Sequence, residues 1–167
     1  MKTLRDGGLA IGTLGPMSVP PIPAGHSTVI PHLNVTDAKA AIEFYRAAFG
    51  AVPGNMSVME DGKVLHAEIR IGNSVVFLND HFGPPAPPPS GVTIHIWTEQ
   101  IDELWEQAVN AGARVKMPLA DQFWGDRYGH LQDPYGHLWS LGKHIEDVSP
   151  EHMAKRAAEA FKAFETE

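Results

Sequence analysis

Between residues 27 and 146 the apolar positions recur with two different periods. In 64–71, Leu65, Ala67, Ile69 and Ile71 alternate with His66, Glu68 and Arg70. In 92–97, Val92, Ile94 and Ile96 alternate with Thr93, His95 and Trp97, and ahead of both, Val29, Leu33 and Val35 alternate with Ile30, His32 and Asn34. A period of two predicts strands with one face under helices and the other face polar or wet. Two stretches follow helical spacing instead: Ala38, Ala41, Ile42, Tyr45 and Phe49, then Ile101, Leu104, Trp105 and Ala108. Each reads as one apolar stripe packed on the core. A last helix is predicted from Ser149-Pro150-Glu151, with Ser as N-cap and Pro at the first helical position. Its stripe of Met153, Ala157, Ala160, Phe161 and Phe164 marks it as a docking helix.

The two helical stretches belong to an internal duplication. At an offset of 62 residues, Val35-Thr36-Asp37 falls on Trp97-Thr98-Glu99, Ile42 on Leu104, and Phe49-Gly50-Ala51 on Ala111-Gly112-Ala113. Each copy reads strand, Thr plus an acid as helix start, helix, and Gly as stop. Hairpins follow, turning at Gly72-Asn73 in the first copy and at Asp133-Pro134-Tyr135-Gly136 in the second. With one further strand after each helix, both copies are βαβββ. The organisation is then a flexible N-terminal arm over 1–26, a first module over 27–82, a Pro-rich linker over 83–91, a second module over 92–146 and a C-terminal helix within 147–167. The linker, Gly83-Pro84-Pro85-Ala86-Pro87-Pro88-Pro89-Ser90-Gly91, favours an extended polyproline II spacer.

Composition narrows the chemistry. The 167 residues are 43% hydrophobic and 20% charged, as in a globular protein with one core. Thirteen Lys+Arg against twenty Asp+Glu give a net charge of −7, which argues against a nucleic-acid backbone binder. With no cysteine, disulfides and thiol nucleophiles are excluded. No apolar run reaches the roughly 20 residues of a membrane span, and the expected location is cytoplasmic.

The polar strand faces carry the candidate site. A solvated exterior is usually Lys, Glu, Thr and Ser; here it holds His32, His66, His95, Glu68, Arg70 and Trp97. The two-residue turn at Gly72-Asn73 sets Glu68 opposite Phe77 and Arg70 opposite Val75. A four-residue turn at 133–136 sets Gly129 with Ser140 and Arg127 with Gly142. That register places Arg127 on the open face and Tyr128, His130, His137 and Trp139 beneath the helices. His137 reads as a core histidine. On this pattern Trp97, Phe77 and Trp124 stack on a planar or apolar ligand, His32 and Asn34 line the site, and Arg127 or Arg70 pairs with an anionic group. The enzymatic alternative makes Glu68 a general base with His66 or His95 as partner acid. A structural alternative makes Glu68 an ion-pair partner of Arg70, and Asp126-Arg127 a brace for its hairpin.

The chain resembles the vicinal oxygen chelate superfamily, which includes glyoxalase I, extradiol dioxygenases and bleomycin- and fosfomycin-resistance proteins. The resemblance rests on the paired βαβββ modules, on Asn34-Val35-Thr36-Asp37 with Ile42-Glu43-Phe44-Tyr45 and Phe49-Gly50-Ala51, and on Asp133-Pro134-Tyr135-Gly136-His137. It is similar to the PhnB-like branch through His66-Ala67-Glu68-Ile69-Arg70-Ile71-Gly72, Gln122-Phe123-Trp124-Gly125-Asp126-Arg127-Tyr128-Gly129 and Trp139-Ser140-Leu141. The resemblance implies an α+β fold: a curved eight-stranded mixed sheet, helices on its convex face, a small-molecule ligand on its concave face, and a homodimer. It implies a metal ligand on the first and last strand of each module. Those positions are Ile30, Phe77, Thr93 and Ser140 here, and none is His, Asp or Glu. A metal-free binding protein is therefore expected. The alternative is a lyase or isomerase acting on a carbonyl compound, with a shifted site of His32, Glu68 and His95 for Zn, Fe or Ni.

Overall fold

A computed structural model describes residues 22–83 and 91–164, with side chains to residue 160. Most of the predicted arm and of the Pro-rich linker lies outside the described residues. The strands and helices follow the duplicated order: β1 (His32–Val35), α1 (Ala38–Phe49), β2 (Val52–Val58), β3 (Val64–Ile71), β4 (Ser74–Asp80), then β5 (Thr93–Trp97), α2 (Ile101–Asn110), β6 (Arg114–Asp121), β7 (Asp126–Gln132), β8 (Leu138–His144), closed by α3 (Pro150–Phe164). Each module is a four-stranded mixed sheet, ordered β1-β4-β3-β2 and β5-β8-β7-β6. Its first and last strands pair in parallel and the rest antiparallel. This is the α+β architecture expected, with the eight strands arranged as two sheets rather than one unbroken ladder.

Local chemistry sets the element ends. Asp37 caps α1 by accepting from the Ala40 N–H at 3.0 Å, and Gly50 ends it at φ 64°, a backbone state that favours glycine. The Asp80 carboxylate, at the end of β4, accepts from Ala38 N at 2.7 Å and Val64 N at 2.6 Å, so one side chain registers a helix start against a strand start. The second copy lacks this cap. Its helix begins at Ile101, beyond the expected Thr98-Glu99, and Thr98 Oγ1 instead accepts from Gln100 N at 3.2 Å.

The alternation holds with two local exceptions. Val29 is 82% exposed, since Pro31 lacks an N–H for the ladder and β1 begins only at His32. Leu65 is exposed while Val64 is buried, because a bulge against β2 shifts the register between Ser57 and Val58. Two of the four edge strands, β2 and β6, are exposed along both faces apart from half-buried Met117 and Leu119. Each carries a proline (Pro53, Pro118) and a register shift.

α1 and the sheets meet over one buried acid. Asp133 is 3% exposed, and its Oδ2 accepts from Tyr45 Oη at 2.7 Å and Trp139 Nε1 at 3.0 Å. Its Oδ1 accepts from the backbone N–H of Tyr135 and of His137, both at 2.9 Å. Tyr45 and Trp139 are themselves buried, with ring centroids 5.5 Å apart, and Phe49 lies 4.6 Å from Trp139. α3 is held by ion pairing: the Arg156 guanidinium takes both Glu146 carboxylate oxygens at 2.8 Å, while Met153, Ala157 and Ala160 are half-buried. No helix among the described residues is long and apolar enough to cross a membrane.

Burial pushes the Asp133 carboxyl up, but hydrogen bonding from His137, Tyr45 and Trp139 outweighs it and holds the group below the usual carboxylate range. Asp133→Asn places an amide where two buried donors point, and is expected to cost about 2–4 kcal/mol in urea unfolding at neutral pH. The unfolded carboxyl titrates at about 3.9, so the contribution is complete above that pH and is lost as pH falls through the lower native value. The stability gap between wild type and Asp133→Asn should therefore close in acid.

Candidate functional site

On the first module's open face, β3 brings Glu68 opposite Phe77 of β4, and β1 brings His32 beside that same Phe77. The expected pairing of Arg70 with Val75 is also present. His66 Nε2 lies 3.8 Å from Glu68 Oε1, and the His66 ring packs 4.7 Å from Phe77 and 6.0 Å from His32. A further imidazole arrives from ahead of β1. His26 Nε2 sits 3.5 Å from Glu68 Oε1, with its ring 5.8 Å from Phe77. The Glu68 carboxylate is thus flanked by two imidazoles. Arg70 does not pair with it; its guanidinium donates to the carbonyls of Gly25 at 3.2 Å and Asn73 at 3.4 Å. Asn34 is exposed beside Asn79 at the far end of the β1–β4 pair.

The second module's open face is a ring assembly. His95 stacks on Tyr128 at 5.7 Å and meets Trp97 edge-on at 4.4 Å. Trp124 lies 5.6 Å from Tyr128, and His130 Nε2 hydrogen-bonds Tyr128 Oη at 2.8 Å. Beneath them, His95 Nδ1 is bonded to Ser140 Oγ at 2.8 Å. Burial pushes the His95 imidazole down, Asp126 pulls it partly back, and His130 adds to the lowering. Gly142 makes room for this stack. A Cβ there would sit 2.7 Å from His95 Cε1 and 2.9 Å from Trp97 Cζ3.

Tyr128 and His130 were expected under the helices, and Arg127 on the open face; the structure reverses this. Asp133 N bonds to His137 O at 3.0 Å, so the loop is Pro134-Tyr135-Gly136, one residue shorter than predicted, with Gly136 at φ 94°. Gln132 then pairs with Leu138 and His130 with Ser140. A one-residue slip turns every β7 side chain to the other face. Arg127 lies on the helix side, paired with Asp102 of α2 at 2.6 Å and Asp121 at 2.9 Å, and is no anion anchor for the open face. Asp126 pairs with His144 at 2.9 Å rather than with Arg127. Trp139 and His137 are buried on the core side as expected, His137 Nδ1 lying 3.3 Å from Asp133 Oδ2.

The residues that the sequence singled out gather into two sets, His32, His66, Glu68 and Phe77 in one module and His95, Trp97 and Trp124 in the other. Sequence reasoning missed His26, Tyr128 and His130. Loop length was the only signal for the last two, and no periodicity reaches His26. Among the described residues no three His, Asp or Glu side chains group closely enough to hold a metal ion, so His32, Glu68 and His95 do not form one donor set.

A family model of the Glyoxalase/Bleomycin resistance protein/Dioxygenase superfamily matches residues 25–141. The Mycobacterium tuberculosis protein Rv0887c is 43% identical over 132 residues, spanning 74% of this chain and 78% of that protein. Among solved structures, TioX from Micromonospora sp. ML1 superposes with a TM-score of 0.59 at 26% identity, over 71% of this chain and 99% of TioX. A PhnB protein from Bacillus cereus superposes at 0.55 with 21% identity, over 70% and 99%.

In the wild type, the His95 ring protons should titrate below the ordinary histidine value of about 6.5 by NMR. Gly142→Ala is expected to push the ring toward solvent and move that midpoint back up. An unchanged midpoint would show that the imidazole was never held by this packing.

Proposed function

The chain belongs to the Glyoxalase/Bleomycin resistance protein/Dioxygenase superfamily, and from that premise we propose that it binds a small, flat organic molecule on the open face of its sheets. The observation that carries this reading is the assembly of Trp97, His95, Tyr128, Trp124 and His130 on one face. Trp97 keeps 60% of its surface exposed although its strand is ordered. An indole standing in water over a supported ring stack is a surface awaiting a π-face. His95, with its protonation disfavoured and Nδ1 engaged by Ser140, leaves Nε2 to exchange a hydrogen bond with such a ligand. The family's metal chemistry does not fit these residues. Of the positions expected to ligate, Ile30 lies ahead of β1, and Phe77, Thr93 and Ser140 offer at best neutral hydroxyls. Opposite Phe77 and Ser140 stand His32 and His95, one imidazole in each module with no third donor grouped beside it among the described residues.

A second reading, a lyase or isomerase acting on a carbonyl compound, is favoured by one feature. Glu68, with 21% of its side chain exposed, has imidazole nitrogens at 3.5 and 3.8 Å. In that chemistry Glu68 takes a proton from the carbon beside the carbonyl while a protonated His66 gives one to the carbonyl oxygen. His66 then regains a proton from the second enediol hydroxyl as Glu68 returns its own to the neighbouring carbon. Unimpaired turnover by Glu68→Gln in an active preparation would remove this assignment. For either reading we propose a cytoplasmic homodimer; sedimentation equilibrium checks the dimer, and a monomer at micromolar concentration would remove it.

For the binding reading, a panel of planar heteroaromatic compounds is followed by tryptophan fluorescence and thermal shift. A true ligand should quench saturably, and Trp97→Ala should weaken it about five- to tenfold, the scale of one lost aromatic stack. The reading falls if nothing in the panel binds, or if Trp97→Ala and Tyr128→Ala leave affinity unchanged.

A further inference from the structure

The segment ahead of β1 crosses the first module's open face with two contacts that differ in kind. Gly25, at φ 79°, a backbone state that favours glycine, presents its carbonyl oxygen to Arg70 Nη2 at 3.2 Å. One residue on, His26 lays its ring against Phe77 and points Nε2 at Glu68 Oε1, 3.5 Å away, with only 15% of its side chain exposed. Its other nitrogen, Nδ1, faces the Ala24 carbonyl at 3.3 Å. Both ring nitrogens of the seated His26 therefore face oxygen atoms, so the place suits a ring that carries an N–H. The segment holds its shape through a turn closed by His26 N and Pro23 O at 3.1 Å.

We propose that residues 22–26 are a built-in stand-in for the ligand of the first module: the His26 ring and the Gly25 carbonyl occupy a site that a free small molecule takes when the strap lifts. This rests on the reading that the open face binds small molecules, and it names the chemistry the first module selects. Lifting the strap exposes the face of Phe77 and leaves the Glu68 carboxylate and Arg70 guanidinium without these partners. The matching ligand carries a flat ring with a protonated or N–H nitrogen, joined through a short spacer to a carbonyl oxygen. Glu68 takes the nitrogen, Phe77 the ring and Arg70 the oxygen. A simple carboxylic acid lacks the ring nitrogen and meets the Glu68 charge, so it is disfavoured. His66, 3.8 Å from Glu68 Oε1, remains on the face as its second imidazole.

The test uses the full chain and the N-acetylated tripeptide amide Ala-Gly-His as probe, followed by NMR of the Phe77 ring and by calorimetry. Removing the competing side chain with His26→Ala should tighten the probe roughly tenfold over wild type, the factor expected if the strap covers the site about nine-tenths of the time. Glu68→Gln in the His26→Ala background should lose that binding. The probe with phenylalanine in place of histidine should bind at least about fivefold more weakly, since it keeps the ring and loses the nitrogen. His26→Gln serves should His26→Ala fold poorly, and should also tighten the probe. Equal affinity in wild type and both His26 variants, binding indifferent to Glu68, or no binding to any variant would each overturn the proposal. None of these results bears on quenching of Trp97 by ligands of the second module, so the two readings fail separately.

Discussion

A single buried carboxylate organises the joint between the modules. Asp133 receives four hydrogen bonds, from the Tyr45 hydroxyl of α1, the Trp139 indole of β8 and two amides of its own loop. A charge so enclosed is stable only because every lone-pair direction is answered. The same four bonds set the loop at three residues and thereby the register of β7 against β8. They hold α1 of the first module over the last strand of the second, where no hydrogen-bonded ladder joins the two sheets. Burial and the Asp133 charge push the Tyr45 phenol strongly up, so the donor facing the carboxylate keeps its proton.

Much of this architecture was legible because it is periodic. The stripe of α1 is buried at every position named from sequence, from Ala38 to Phe49. The Gly72-Asn73 hairpin fell in register because a two-residue turn leaves little freedom. The second hairpin was misread because a four-residue reading of 133–136 ignored what the Asp133 side chain does to the backbone around it. The error is one residue in length, yet it exchanged Arg127 for Tyr128 and His130. His26 was illegible for another reason: it lies in a Gly- and Pro-rich stretch without periodicity, and only tertiary contact with Phe77 and Glu68 gives it a place.

The two open faces differ although they descend from one repeat. The first gathers imidazoles around an acid on Phe77; the second gathers aromatic rings around a hydrogen-bonded imidazole. Neither is organised by a free arginine from the pair that sequence had placed there. Arg127 is committed to Asp102 and Asp121 on the helix side, and Arg70 to the carbonyls of Gly25 and Asn73. On the proposed reading, recognition draws on π-surface and on hydrogen bonds to imidazole and carboxylate.

Each four-stranded sheet has two edge strands, β1 and β2 in one and β5 and β6 in the other, and the β2 and β6 margins bear exposed valines. Two flat margins of that kind on one chain would invite end-to-end stacking of sheets into fibrils. Pro53 and Pro118 each delete one amide from the margin, and the irregular register beside them kinks what remains. The chain thus keeps the benefit of doubling its fold while denying its neighbours a template along β2 and β6.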